Sequence, residues 1–452
     1  MSQTFRQVDR ETLFLLPPSL DDWLPEGHLA RFIVEIVAQL DLTLIKASYA
    51  GRGSKAHHPE MLLALLFYGY ATGVFSSRKL ERATYDSVAF RYIAANDHPD
   101  HDTIATFRKR FLSELTPLFV QILLIAHQMN VLKLGKVSLD GTKIKANASK
   151  RRALSWKHAC KLEKQLKTEV EALMRQAEEA DRADIPDGLD IPEELARREK
   201  RLAAIGEAKA AIERRAAKRH AEEQADFEKR LVSRKDKEQK TGKKTRGKEP
   251  KPPEPKLRDK DQVNLTDEES RIMLTPGGGF EQCYNAQASV DIETMLVVGQ
   301  HLTQNSNDAL EIEPALAALN KLPEELGTID ALLADAGYFS QNNVDSCLGK
   351  KVLPYISSHR DGHNQSLKER FSEPPPLPEN ADSVTEMKHR LKTKDGREIY
   401  AKRKCTVEPV FGIIKAVMGF RQFLLRGVES VRGEWNLVCM AWNLKRMHAL
   451  VT

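Results

Sequence analysis

The chain has 452 residues, of which 41% are hydrophobic and 30% charged, with a formal net charge of +6. This is enough apolar material for a large core and about three domains, and it excludes a wholly disordered protein. The longest apolar run, residues 61–67, falls far short of the ~20 a membrane span needs, and the opening MSQTFRQVDRETLF is charged where an export signal is apolar, so a cytoplasmic location is expected.

Residues 1–135 read as helical. A Leu-rich segment opened by Pro59 and closed by Gly73 is followed by SSRKLERATYDSVAFRYIAA, with Ser77 as a candidate N-cap. After the polar break NDHPDHD, Asp102 can cap a further helix, TIATFRKRFLSELTPLFVQILLIAHQ. Short helices with such breaks suit helix-turn-helix packing. Arg78, Lys79, Arg82, Arg108, Lys109 and Arg110 are candidates for contacts to DNA phosphates and grooves. A helical bundle with a charged outside fits the same residues.

At Gly135 the period changes. KVSLDGTKIKA alternates Val137 and Leu139 with Ser138 and Asp140, which predicts a strand. Residues 153–182 and 193–232 carry Leu and Ile at helical spacing around the turn DIPDGLDIP, which predicts an antiparallel helical hairpin. Residues 233–262, rich in Lys, Gly and Pro, read as a disordered linker. From 151 to 260 there are 31 Lys and Arg against 23 Asp and Glu, a basic surplus suited to a polyanion or to a solvated charge run.

Strand signals return after Gly277-Gly278-Gly279. CYNAQASV and LVVGQHLT predict a hairpin, DALEIEPALAALNKL a helix, and IDALLADAGYF a strand ending at Asp335. KVLPYISS is a further strand, and 358–396 reads as a polar loop or second insertion. From about Tyr400 the chain is helical again, through TVEPVFGIIKAVMGFRQFLL and a last helix around EWNLVCMAWNLKRMHALV. This order makes a mixed α/β domain with a helical insertion. The five cysteines are scattered without a CxxC pair, which argues against a zinc site or disulfide framework.

Two-metal phosphoryl transfer needs carboxylates that converge from distant sequence positions, because oxygen ligands suit Mg²⁺ or Mn²⁺. Asp140, Asp335 and Glu408 are the candidates. Each has a plainer role: a turn residue before Gly141, a helix cap, and a first-turn complement to the helix dipole. Asp291, Asp308 and Asp330 compete, with Asp308 read as an N-cap. Lys404, Glu408, Gly412 and Lys415 lie close to one helical stripe, which sets a carboxylate and a phosphate-binding cation on one side.

The segments DGTKIKANAS, YNAQASVD, LADAGYFS and VEPVFGIIKAVMGFRQFLLRG resemble those of bacterial insertion-sequence transposases of the DDE type. HPEMLLALLFYGYATGVFSSRKLERATYDSVAFRYI and HDTIATFRKRF resemble the helical domain preceding the core in one branch of that group. The resemblance implies an α/β, ribonuclease H-like mixed-sheet core (133–150 and 266–452) and an all-helical DNA-binding domain (1–132); it leaves out about 360–395 and the long α-helical hairpin insertion read above (151–265), which falls between the first and second core strands, whereas the main insertion of relatives precedes the glutamate. It implies a triad of Asp140, Asp335 and Glu408 holding two Mg²⁺ or Mn²⁺ ions, with Tyr400, Arg403 and Lys415 completing the helix signature. Four residues separate Arg403 from Glu408 where the family usually has three, and Lys404 fits that spacing. The implied activity is binding of terminal inverted repeats, metal-dependent cleavage and strand transfer into target DNA, by a homodimer in the synaptic complex. A catalytically inactive DNA-binding derivative and a nuclease without strand transfer are the alternatives.

Overall fold

The computed structural model describes residues 19–49, 56–112, 114–183, 191–242, 248–253, 256–275, 277–358 and 372–452. The chain divides into two compact units, residues 1–144 with 285–452, and residues 145–284.

The first unit begins with helices α1 (Leu29–Ala38), α2 (Thr43–Ala47), α3 (Pro59–Thr72), α4 (Ser77–Asp86), α5 (Val88–Ile93), α6 (His101–Arg110) and α7 (Leu115–Gln128). Pro59 occupies the first turn of α3, where its missing N–H costs nothing, and Gly73 ends it at φ 88°, a backbone that favours glycine. Two long predicted helices are each divided. SSRKLERATYDSVAFRYIAA breaks at Ser87, whose backbone is extended, and the next segment breaks between α6 and α7. Asp100, not Asp102, caps α6 by accepting from Thr103 N at 2.7 Å. Ser77 lies inside α4, with Ser76 at the cap.

The sheet of this unit runs β6–β5–β1–β7–β8, with β1 (Lys136–Lys145), β5 (Phe280–Asp291), β6 (Val297–Thr303), β7 (Ala331–Ala334) and β8 (Leu353–Ile356). β1, β7 and β8 are parallel, while β5 and β6 form the predicted antiparallel hairpin. β1 is central, so Val137, Ser138 and Leu139 are all buried, Ser138 included. Around the sheet lie α10 (Ile312–Leu319), α11 (Gln341–Gly349), α12 (Ser383–Lys392), α13 (Lys394–Ala401), α14 (Val407–Ala416) and α15 (Val428–Val451). Of 358–396, read as a polar loop or second insertion, residues 359–371 lie outside the described residues, and 383–396 are helical except at the cap Thr393. Asp382 and Thr393 cap the two helices by accepting from Thr385 N and Gly396 N.

α15 is buried on every side from Val431 to Leu444 except at Arg432 and packs against β6, α3 and α7. Asn443 pins it to β6 by accepting from Val297 N and donating to Val297 O, both at 2.8 Å. Trp435 Nε1 donates to the Gln287 carbonyl of β5 at 3.1 Å. A buried polar cluster ties the N-terminal helices to α15. Tyr70 donates to Glu434 Oε1 at 2.9 Å, and Arg108 donates to Tyr70 Oη and to the Phe75 carbonyl at 3.2 and 3.0 Å.

The second unit holds the predicted hairpin, α8 (Trp156–Ala183) and α9 (Ile191–Thr241). α9 has 51 residues, a rod of roughly 75 Å. It runs past Val232, so the expected linker begins later, and part of that linker and most of the DIPDGLDIP turn lie outside the described residues. Leu166 of α8 packs with Ile205, Ala208 and Ile212 of α9. At the base, 153–155 is strand, not helix: β2 (Ala153–Ser155) pairs antiparallel with β3 (Gln262–Asn264). Arg219 closes the base on Asp261 at 2.6 and 2.9 Å. β4 (Arg271–Leu274) pairs with the first residues of β5 in the same unit.

Candidate active site

Two adjacent strands bring the first two acids together. In the β1–β7 ladder Lys136 lies opposite Ala331, Val137 opposite Leu332 and Ser138 opposite Leu333. Continued for two residues, that register sets Asp140 level with Asp335. Residues level on neighbouring parallel strands share a face and lie ~5 Å apart. Asp335 Oδ1 also accepts from Gly337 N at 2.8 Å and so caps the one-turn 3₁₀ helix Ala336–Tyr338. Asp140 Oδ1 accepts from Gly141 N at 2.8 Å.

Burial, chiefly, pushes the Asp140 carboxyl up to about 6; neighbouring Asp335 and Asp308 add to this, while the Gly141 N–H and Arg403 oppose it.

Arg403 connects this pair to the third acid. Its Nη1 lies 3.5 Å from Asp140 Oδ2, and its Nη2 donates to Glu408 Oε1 at 3.0 Å. Burial works against its charge, but Tyr400, Asp140, Glu408 and Asp335 outweigh burial and raise its pKa. The Arg403 side chain is only 8% exposed, whereas Glu408, in the first turn of α14, is 50% exposed. Lys404 is exposed, so Arg403 is the cation among the acids. Tyr400 donates to the carbonyl of Ala334, the residue before Asp335, at 3.3 Å. Lys415, two turns after Glu408, reaches back to β1, where it donates to Thr142 Oγ1 and, at 3.0 Å, to the Lys143 carbonyl.

Asp308 does not cap α10; Glu311 takes that position. Asp308 Oδ1 instead accepts from Asn285 Nδ2 and Gln287 Nε2, each at 2.7 Å, with Lys143 Nζ at 3.4 Å. Two buried amides need an acceptor, and Asp308 supplies it. Asn285, Gln287 and Ser289 alternate along β5 and are all buried. A strand whose polar face is buried needs partners on that face, and the alternation in NAQAS is the signal that marks these residues.

Of the proposed DNA contacts, Arg78, Lys79, Arg82 and Lys109 are exposed, with Arg82 paired to Asp86 at 3.0 Å. Arg110 is exposed but anchored, donating to the Ser48 carbonyl at 2.6 Å beside the Tyr49 and Phe111 rings. Arg108, by contrast, is buried in the Tyr70–Glu434 cluster and does not face solvent. Successive helical residues turn by about 100°, so three consecutive cations cannot share one face.

Among the described residues, no three acids, histidines or cysteines form a closed metal-binding group. Arg403 instead stands between Asp140 and Glu408.

Acids on two adjacent parallel strands and on a following helix are an arrangement that can hold the divalent ions phosphoryl transfer uses. A transposase domain model (DUF772) matches residues 18–110, and a transposase DDE domain model matches residues 256–444; the chain belongs to the insertion-sequence transposases of the DDE type, enzymes that cleave DNA and transfer its strands. The second match includes Asp335, Arg403, Glu408 and Lys415, while Asp140 lies before it. No curated protein and no solved structure matches the chain. No single helix is long and apolar enough to cross a membrane.

Proposed function

We propose that this enzyme binds the terminal inverted repeats of an insertion sequence and uses Asp140, Asp335 and Glu408, on a ribonuclease H-like core, for metal-dependent end cleavage and strand transfer. The observation that carries the reading is the grouping of all three acids around Arg403 from β1, β7 and α14.

The donor set fits Mg²⁺ or Mn²⁺. Both prefer oxygen ligands, and a bound cation would offset the burial and, secondarily, the neighbouring carboxylates that raise the Asp140 pKa. Asp140 and Asp335 would share one ion and Glu408 would help hold the other; the half-exposed Glu408 carboxylate is free to exchange Arg403 for metal. Two such ions, when bound, stabilise the attacking and leaving oxygens of the phosphodiester.

The chain's own cations do the rest. Arg403 stays charged while buried, and its Nε is buried without an acceptor, so its donors are not exhausted by the protein. It is suited to a non-bridging phosphate oxygen as charge builds there. Lys415 draws the strand segment after Asp140 towards α14, and Tyr400 holds the strand end before Asp335. Arg78, Lys79, Arg82 and Lys109 would grip the inverted repeat, and the basic insertion would add sequence-independent phosphate contacts. Two ends are joined in one complex by a homodimer, in the cytoplasm of a bacterium.

The test is Glu408→Gln, which keeps size and helix but removes the charge that holds a divalent ion. Mg²⁺-dependent nicking of an inverted-repeat duplex should disappear while a gel shift on the same DNA survives. Normal cleavage by the variant would remove Glu408 from the site.

A further inference from the structure

We infer that Gln287 is a positioning residue that fixes the spacing of Asp140 and Asp335 by packing against the strand residue that follows the first and bonding to the turn that follows the second. The inference rests on the proposal that these two carboxylates share a metal ion.

Gln287 is fully buried in β5, the strand next to β1, and its side-chain amide is occupied at both ends. Oε1 accepts from Tyr338 Oη at 2.5 Å, and Nε2 donates to Asp308 Oδ1 at 2.7 Å and to Asn285 Oδ1 at 3.2 Å. Tyr338 is the last residue of the turn that Asp335 caps, and it too is fully buried. The Asp335 turn is therefore held at its start by the aspartate itself and at its end by Gln287.

The β1 residue after Asp140 packs on the same amide. A Cβ placed on Gly141 would come within 2.1 Å of Gln287 Nε2 and 2.7 Å of Asp308 Oδ1. Only a glycine lets the backbone after Asp140 settle at that distance. One amide thus touches the residue after Asp140 and the residue three past Asp335.

The direction of the amide is also set. The NH₂ end faces the Asp308 oxygen, and the amide oxygen is left for the tyrosine hydroxyl. Lys143 Nζ lies 3.4 Å from the same Asp308 oxygen. With every donor and acceptor of the amide used, the arrangement has a single low-energy form. Partners of this kind around metal-binding carboxylates typically change metal affinity by about 10- to 100-fold when removed.

The experiment measures Mn²⁺ binding to the full chain by electron paramagnetic resonance, without DNA, in wild type, Tyr338→Phe, Gln287→Met and Asp140→Asn. Melting curves establish that each is folded. Tyr338→Phe removes only the hydroxyl and remains interpretable if Gln287→Met does not fold. We expect Asp140→Asn to abolish the site and Tyr338→Phe to weaken Mn²⁺ about tenfold while an inverted-repeat gel shift is unchanged. Combined with Asp140→Asn, Tyr338→Phe should have no further effect on Mn²⁺. If folded Tyr338→Phe binds Mn²⁺ like wild type while Asp140→Asn does not bind, the positioning role is wrong and the metal site stands. If Asp140→Asn binds like wild type, or wild type does not bind, the metal site itself is wrong and the positioning role falls with it.

Discussion

Asp140→Asn should make the metal-free protein more stable while destroying its activity. The Asp140 side chain is 19% exposed, and its carboxyl titrates at about 6 against an ordinary 3.8. The native state therefore holds this proton more tightly than the unfolded chain does. The stability this confers is complete below the unfolded value and is lost as pH rises through about 6. Some two units at 1.36 kcal/mol each amount to about 3 kcal/mol by which ionisation of Asp140 destabilises the fold at neutral pH. Asn is neutral throughout and avoids that cost, although it also gives up the contact of Asp140 with Arg403, so a gain of ~1–3 kcal/mol is expected at pH about 7.5. The assay is urea unfolding in EDTA across a pH series, followed by tryptophan fluorescence, since Trp435 and Trp442 are buried in this unit. The difference between variant and wild type should shrink towards zero below pH about 4, where Asp140 is protonated in both states. Adding Mg²⁺ in place of EDTA should stabilise wild type alone. A difference that does not change with pH, or a variant less stable than wild type at neutral pH, would refute the assignment of Asp140 as a crowded, metal-seeking carboxylate.

Gly141→Ala must displace the Gln287 amide, 2.1 Å from the new methyl, so nicking should fall by at least about 100-fold and the melting temperature should drop; normal nicking would show that the strand tolerates a side chain there. Arg108→Met leaves Glu434 buried without its cation and should cost ~3–5 kcal/mol in urea unfolding, with an unchanged salt slope for DNA binding. Arg78→Gln with Lys79→Gln should do the reverse, leaving stability intact and making the slope of log K against log salt shallower by roughly two. Lys229→Gln with Lys235→Gln, both exposed on α9, tests the insertion in the same titration, where an unchanged slope would mark its charge as merely solvating.

The strand carrying Asp140, the strand leading to Asp335, the hairpin of YNAQASVD, the helix carrying Glu408 and the two insertion helices were all legible in the sequence. Their periods of about two and 3.6 record which side of each element is buried, and that is local information. The resemblance to DDE transposases also rested on local segments, and the two domain matches agree with it. Breaks at Ser87 and between α6 and α7 were missed because an apolar stripe continues across a bend. Helices within 383–396 were left as loop or insertion because a polar surface helix carries little periodic signal, although Asp382 and Thr393 are recognisable caps.

Only the tertiary structure decided which polar residues face one another. The β1–β7 register makes Asp140 level with Asp335, and no property of either segment alone contains that offset. Spacing left Arg403 and Lys404 as alternatives, and packing buries the first among the acids and leaves the second in solvent. Arg108 reads like its basic neighbours until α15 brings Glu434 near it, and Asp308 reads as a helix cap until β5 presents two amides to it. A side chain's chemistry is written in the sequence, but its electrostatic partner comes from an element far along the chain, so its role is settled only when the sheet and α15 are assembled.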